Sequence, residues 1–212
     1  MSDLHEPPDP PQLLEPPPEC PQHVAEIDLG PYLSALHECI ASGWQAWELF
    51  GEIAPALRLP LTNRTRANFI YDHITTGARA RFADLKRVKI SENRGFLELL
   101  IASRYIIRFK KLNKSGRSSN IQTKQQLRWF SIQLELPDMP PAAVRLIAGY
   151  QLNLLGTEVA NVLVTRPVGS VIEWSFSLAD SLSNVKQFPV HPPKPATTKS
   201  TRKTKKDEKG DD

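Results

Sequence analysis

The chain has 212 residues and a net charge of +4 at pH 7, and 40% of its residues are hydrophobic. This size suits one domain with extended ends, and the apolar content is enough for a core. Two cysteines without a CxxC spacing make neither a disulfide framework nor a zinc site, and no apolar run approaches the ~18 residues of a membrane span. The N-terminus lacks the basic start and apolar run of a signal peptide, so the sequence predicts a soluble, cytoplasmic protein.

The charges are segregated along the chain. Residues 1–63 carry ten acidic residues and one basic residue, a net −9, whereas residues 64–128 carry sixteen basic and four acidic residues, a net +12. This split indicates one of three arrangements. An acidic segment lies over a basic body, or a basic surface binds an anionic partner, or the charges are simply solvated.

Proline marks both ends of the chain. Nine of the 19 prolines lie between Pro7 and Pro31, and four more lie between Pro189 and Pro195. Because proline lacks an amide donor and fixes φ, neither segment favours a helix or a sheet. The sequence therefore predicts a disordered acidic arm at 1–31, a single α+β domain at 32–182 and a disordered charged tail at 183–212.

Two helices are predicted at the start of the domain. From Tyr32 to Ile53 apolar residues recur with the 3.6-residue period of a helix, and Pro55 ends it. Thr62 or Asn63 can cap a second helix that runs to Phe82.

Three strands follow, at residues 87–91, 96–101 and 105–110, and the last two are predicted to form a hairpin. A three-residue loop at 102–104 gives this hairpin one wholly apolar face and sets Glu98 opposite Arg108 on the other face. A two-residue loop would instead place Glu98 on the apolar face. We therefore expect the three-residue loop.

The second half of the domain is predicted to add one helix and three strands. Thr123 and Gln126 have the spacing of a capping box, which predicts a helix from Lys124 to Leu134. Strands are predicted at 146–154, 158–165 and 171–178. The fold class is thus α+β, with two N-terminal helices and then a mixed or antiparallel sheet of six strands with one inserted helix.

Most catalytic signatures are absent from the sequence. It contains no GxxxxGK phosphate loop and no GxSxG motif, and its five histidines lie far apart. The sequence therefore predicts no metal site and no cofactor.

One catalytic alternative remains. RANFIYDH, residues 66–73, places Arg66 and His73 about two turns apart on one face of the second helix. This spacing resembles the Arg-x4–6-His signature of HEPN ribonucleases, an all-helical family. The resemblance implies that His73 serves in acid–base chemistry during attack by the ribose 2′-hydroxyl, while Arg66 steadies the phosphate. The simpler interpretation of His73 is a histidine of the helix surface or the core.

The predicted binding surface is basic. It combines the end of the second helix and the next strand with the third strand and the loop that follows it. This loop is predicted to be flexible. The basic residues of the surface are Arg79, Arg81, Lys86, Arg87, Lys89, Arg108, Lys110, Lys111, Lys114 and Arg117. If the sheet brings these residues together, they attract phosphates with an affinity that falls as salt rises. Few aromatic residues remain for stacking, so such a surface binds the backbone with low sequence specificity. An acidic protein suits the same charge.

Three stretches also carry a resemblance: RFKKLNKSGRSSNIQTKQQ (108–126), AGYQLNLLGTEVANVLV (148–164) and IEWSFSL (172–178). They look like a small uncharacterised bacterial family. Its members look like companions of helix-turn-helix regulators, or of regulator–metallopeptidase pairs, in toxin–antitoxin or phage-defence loci. The resemblance implies a binding component of such a locus.

Together these observations predict a non-catalytic interaction protein whose basic face binds nucleic acid or an acidic partner protein, with no membrane partner. The alternative is a metal-independent ribonuclease toxin that uses Arg66 and His73.

Overall fold

The computed structural model of the chain describes residues 18–93, 95–118 and 143–185. The helices in these ranges are α1 (Gln22–Leu29), α2 (Leu33–Ile53), α3 (Pro55–Arg58), α4 (Asn63–Phe82) and α5 (Leu178–Val185). A 3-10 turn, Gly30–Tyr32, joins α1 to α2. Within the described part of the chain, no helix is both long enough and apolar enough to cross a membrane.

Helices α2 and α4 pack against each other, as their apolar faces predict. Helix α4 begins where the sequence indicates, because the Thr62 hydroxyl accepts a hydrogen bond from the Thr65 amide at 3.2 Å. Gly43 allows the two helices to approach closely. A Cβ at this position would lie 2.5 Å from Ile74 Cγ1 and 2.9 Å from the Ile70 carbonyl oxygen.

The strands form one mixed sheet in sequence order. They are β1 (Val88–Asn93), β2 (Phe96–Ile101), β3 (Tyr105–Leu112), β4 (Val144–Leu152), β5 (Val159–Val168) and β6 (Val171–Ser177). Strands β3 and β4 are parallel, and the other neighbouring pairs are antiparallel. The α+β class is therefore confirmed. The helix predicted at 124–134 falls in the connection between β3 and β4, outside the described residues.

The predicted register of the β2–β3 hairpin is confirmed. Glu98 pairs with Arg108, and Ile101 pairs with Tyr105 across a three-residue loop. Two loop residues, Ala102 and Ser103, have positive φ values of 54° and 55°. The predicted apolar face is buried under the helices, with at most 2% exposure at each of its six residues: Leu97, Leu99, Ile101, Tyr105, Ile107 and Phe109.

The opposite face of the sheet carries a second, smaller apolar cluster. It consists of buried residues from β2, β3 and β4 with their flanks: Leu100, Ile106, Leu112, Ala143 and Ile147. The paired Glu98 and Arg108 lie on this same face, because they alternate with Leu97, Leu99, Ile107 and Phe109 along their strands.

The last part of the predicted N-terminal arm is not extended. Residues 22–29 form α1, and Cys20, Ala25 and Leu29 are at most 1% exposed. Asp28 accepts hydrogen bonds from the Tyr105 hydroxyl at 2.7 Å and from Arg104 at 2.9 Å. Proline density alone misassigned this segment, because its order comes from partners more than 70 residues away in sequence.

The end of the domain also differs from the prediction. Strand β6 ends at Ser177, and Leu178, predicted as a strand residue, is fully buried and begins α5. The division into arm, domain and tail remains a prediction beyond the described ranges.

Candidate nucleic-acid interface

The ten predicted basic residues form two groups that the sheet separates. Lys89 of β1 pairs with Leu100, which in turn pairs with Ile106 of β3. Lys111 lies five residues beyond Ile106 on β3, a separation of ~17 Å at ~3.4 Å per residue. Lys86, Arg87 and Lys89 of the first group thus lie near the start of β1, whereas Arg79 of the same group lies beside Glu92 near the end of that strand. The second group lies at the end of β3 and in the loop that follows it.

Two members of the first group are paired with acids. Arg79 contacts Glu92 at 2.6 Å, and Arg81 contacts Glu38 at 3.3 Å. Both pairs are exposed, so each contributes little to stability, but each glutamate offsets the positive potential of its arginine.

The other members of the first group, Lys86, Arg87 and Lys89, are exposed where α4 joins β1. The backbone there is fixed by two hydrogen bonds. The Tyr32 hydroxyl donates to the Lys86 carbonyl at 3.0 Å, and the Ala102 amide donates to the Arg87 carbonyl at 2.8 Å. These side chains therefore extend from an ordered turn.

Arg108 does not present its charge to solvent. It is 7% exposed, and its Nε donates to Glu98 Oε1 at 2.7 Å, while Glu98 is fully buried. The guanidinium also lies 4.9 Å from the centre of the Phe96 ring. Burial lowers the pKa of Arg108, and the Glu98 carboxylate opposes this shift. Arg108 therefore belongs to a buried ion pair rather than to an outer binding surface.

Near its end, β3 lies very close to its neighbour β4 at Gly149. A Cβ at this position would lie 2.2 Å from the Lys110 carbonyl oxygen and 2.8 Å from Leu112 Cγ. No side chain fits there without moving the backbone of β3. The glycine therefore sets the path of the strand that carries Lys110 and Lys111.

A hydrogen-bonded turn follows β3, where the sequence predicted a flexible loop. The Asn113 side-chain oxygen accepts from the Ser115 and Arg117 amides, both at 3.0 Å. The Asn113 amide donates to the Arg117 carbonyl at 2.8 Å, and the Asn113 carbonyl accepts from Gln151 at 2.6 Å. The backbone of the turn is thus fixed by Asn113, and Lys114 and Arg117 are exposed on it.

A cavity of about 330 Å³ lies beside the end of β3. Its walls come from α4, the β1–β2 turn, β3 and β4: Ala67, Asn68, Tyr71, Asp72, Ile74, Gly95, Phe96, Phe109, Lys110, Lys111 and Tyr150. The Lys110 ammonium lies 3.7 Å from the centre of the Phe96 ring, a cation–π contact. Burial, and secondarily Arg108, lowers the pKa of Lys110 to about 8. Burial, and secondarily Arg66, also lowers the pKa of Lys111.

The second group supplies four cations within eight residues, beside and beyond this cavity. Lys110 and Lys111 are half-buried, and Lys114 and Arg117 are exposed within the next six residues. Among the ion pairs of the described residues, none includes Lys111, Lys114 or Arg117. We call Lys110, Lys111, Lys114 and Arg117 the β3-end cluster.

The alternative catalytic pair has a different setting in α4. Arg66 donates to the Gly156 carbonyl at 2.8 Å and to Asn63 Oδ1 at 3.0 Å, so its guanidinium fastens the β4–β5 turn to the start of α4. His73 is exposed, with its ring centre 4.6 Å from that of Phe69. The Arg66 guanidinium is therefore already hydrogen-bonded to the Gly156 carbonyl and to Asn63 Oδ1.

One contributor to the site, Asn113, and one neighbour of Arg108 outside the site, Arg145, were missed from the sequence. The Asn-Lys-Ser-Gly sequence is typical of a turn that an Asn side chain stabilises, but it was interpreted as a flexible loop. Arg145 of β4 lies on the same sheet face as Arg108, and burial followed by Arg108 lowers its pKa. No local pattern indicates Arg145, because its place depends on the pairing of β3 with β4.

The comparisons with known proteins give no relative for this chain. No protein-family model matches it, no curated protein matches it, and no solved structure matches it.

Proposed function

We propose that this chain is a non-catalytic interaction protein that binds the nucleic-acid backbone through the β3-end cluster. The observation that carries the proposal is the concentration of Lys110, Lys111, Lys114 and Arg117 within eight residues, on a strand end and turn that are fixed by hydrogen bonds. Lys111, Lys114 and Arg117 are outside every ion pair described above, whereas Arg79 and Arg81 are each paired with a glutamate. Cations of this kind bind phosphates and release condensed counterions.

The proposed contact is to phosphates rather than to bases. Of the aromatic residues that line the cavity beside the cluster, Phe109 and Tyr150 are buried, with exposures of 1% and 3%. Tyr71 is half-buried, and its hydroxyl accepts a hydrogen bond from the Leu97 amide. Phe96 is half-buried and is covered by Lys110 and Arg108. These rings are poorly placed to stack on bases, so low sequence specificity is expected.

Charge reversal in the two basic groups tests the proposal. The test variant is Lys114→Glu with Arg117→Glu, and the matched control is Lys86→Glu with Arg87→Glu. Both pairs are exposed and both change the net charge by the same amount. We expect the test variant to lose at least about tenfold in affinity for labelled RNA or duplex DNA, because two phosphate contacts become repulsions. The control should lose much less.

The same experiment distinguishes the other partners. Equal losses in both variants would assign binding to net charge and contradict a localised site. Absence of salt-sensitive binding in the wild type would favour an acidic protein partner. RNA cleavage without added metal that disappears in His73→Ala would replace the proposal with the ribonuclease alternative.

We also propose that the acidic arm weakens this binding. Residues 1–17 carry four acidic residues and no basic residue. As acidic residues tethered to the domain, they would compete with phosphates for the β3-end cluster. The charged tail beyond α5 and the inserted helix at 124–134 remain part of the same proposal.

The genomic setting is a further part of the proposal, resting on the resemblance of residues 108–126, 148–164 and 172–178 to companions of toxin–antitoxin or phage-defence proteins. A binding component of such a locus should not arrest growth when it is expressed alone. Growth arrest relieved by His73→Ala would contradict this role and support a toxin.

A further inference from the structure

Five large aliphatic side chains are exposed around the connection between α2 and α4. They lie within 13 residues and have exposures from 36% to 89%: Leu49, Ile53, Leu57, Leu59 and Leu61. Single exposed leucines are common on protein surfaces, but a concentration of this kind marks an interaction surface. We call residues 49–61 the α2–α4 elbow.

The elbow is an ordered part of the fold. The Arg58 guanidinium lies 4.6 Å from the centre of the Trp47 ring. The Leu57 amide donates to the Ala54 carbonyl and the Leu61 amide donates to the Arg58 carbonyl, both at 3.1 Å. The aliphatic side chains are therefore exposed by a fixed backbone and not by a frayed helix end.

Core packing also determines which side of α2 is exposed. Trp47 and Phe50 pack on Phe69 of α4, with ring centres 5.6 Å and 5.4 Å from it. Leu49 and Ile53 are four residues apart and lie on the side of α2 that faces away from this contact. No described element covers them, since their exposures are 54% and 74%.

The charges beside these residues are of both signs. Glu48 and Glu52 are exposed on α2, Arg58 is half-buried on α3, and Arg64 is exposed at the start of α4. Two glutamates and two arginines leave the elbow without a net charge, so it does not attract an anionic membrane or an acidic protein electrostatically. A second copy of the chain is complementary to both charges, because a two-fold axis can place the glutamates of one copy near the arginines of the other.

We propose that the α2–α4 elbow is the interface of a homodimer. This inference goes beyond the proposed function, and the elbow contains none of the residues of the β3-end cluster. Burial of the five aliphatic side chains supplies the association energy, and the mixed charges favour a second copy over a partner of one sign.

The molar mass of the full chain in solution tests the inference. Sedimentation equilibrium should give twice the 23.8 kDa of one chain. Leu57→Glu, at a residue that is 66% exposed, should raise the dimer dissociation constant roughly tenfold or more by burying a carboxylate. The matched control is Val171→Glu at the start of β6, a residue that is 60% exposed, and it should leave the dimer intact.

A charge experiment tests the choice of a second copy. The variant Glu48→Arg with Glu52→Arg and the variant Arg58→Glu with Arg64→Glu should each be mainly monomeric, because like charges then face each other. Mixing the two variants should restore a dimer. Circular dichroism of each variant verifies that it folds.

Three results would overturn the inference: a monomeric wild type at all concentrations, a dimer that survives Leu57→Glu, or mixed variants that stay monomeric. Binding of a monomeric wild type to anionic lipid vesicles, lost in Leu57→Glu, would assign the elbow to a membrane instead. Nucleic-acid binding is measured separately, so its failure would leave this result unaffected.

Discussion

At the residue scale, two basic residues of β3 have different roles although they are two positions apart. Arg108 is buried against Glu98, whereas Lys110 is half-buried over Phe96 at the cavity. The sequence predicted the Glu98–Arg108 pair correctly, because strand alternation is local. It did not predict that the pair is buried, because burial depends on the packing of the second sheet face, which alternation cannot reveal.

Loss of one partner of this buried pair should be costly. Glu98→Ala leaves the Arg108 charge without its nearby carboxylate, and we expect the free energy of unfolding to fall by about 3 kcal/mol. The control is Glu92→Ala, which breaks the exposed pair with Arg79 and should cost less than ~1 kcal/mol. Urea unfolding measures both. Similar losses in the two variants would mean that Glu98 and Arg108 are solvated.

Lys110 should give the domain a dependence of stability on pH. Burial lowers its pKa from 10.5 to about 8. Between these two pH values the unfolded chain binds more protons at this lysine than the native chain does. The stability of the domain therefore rises with pH across this window, and the cost of the buried charge is fully present below pH 8.

Lys110→Met should remove this dependence. We expect the variant to be more stable than the wild type near pH 7 by about 1 kcal/mol, after allowance for partial solvent screening, and this gain should shrink near pH 10. Urea unfolding at the two pH values provides the measurement. Lys114→Met, at an exposed position, is the control and should show no such change. A gain for Lys110→Met that is constant with pH would contradict the role of its charge.

At the element scale, the strands and the two long helices were predictable because their patterns are local. Helix α1 was not. Its order depends on distant partners, such as Trp174 and Arg166, which donate hydrogen bonds at 2.7 Å and 2.9 Å to the Cys20 carbonyl just before the helix. Helix α5 was missed for a similar reason, since its first residue, Leu178, is buried in the main core.

Two truncations separate the arm from α1. Deletion of residues 1–17 should leave the fold intact, because it retains every described contact of residues 18 onwards. It should strengthen nucleic-acid binding, because it removes four acidic residues. Deletion of residues 1–31 should unfold the domain, because it removes the buried Cys20, Ala25 and Leu29. Thermal unfolding and RNA binding provide the two measurements. Unchanged binding after the shorter deletion would contradict the screening role of the arm.

At the scale of the whole molecule, the basic side chains within residues 18–93, 95–118 and 143–185 do not all lie on one surface. Of the basic side chains that the structure describes between residues 64 and 118, some form exposed ion pairs, Arg108 is in a buried pair, and others lie at the start of β1 or at the end of β3. The sequence identified the basic residues, but their separation follows from the sheet order β1-β2-β3 and from the direction of β3. That order depends on strand pairing between residues distant in sequence, and composition carries no information on this pairing.

The salt dependence of nucleic-acid affinity tests the central claim most directly. The slope of log K against log salt for duplex DNA reports the number of phosphates that the protein neutralises, at about −0.9 for each contact. If Lys114 and Arg117 bind phosphates, replacing both by glutamate should reduce the magnitude of this slope by roughly 2, while the control pair at Lys86 and Arg87 should leave it unchanged. An unchanged slope in the Lys114→Glu, Arg117→Glu variant would contradict binding through the β3-end cluster.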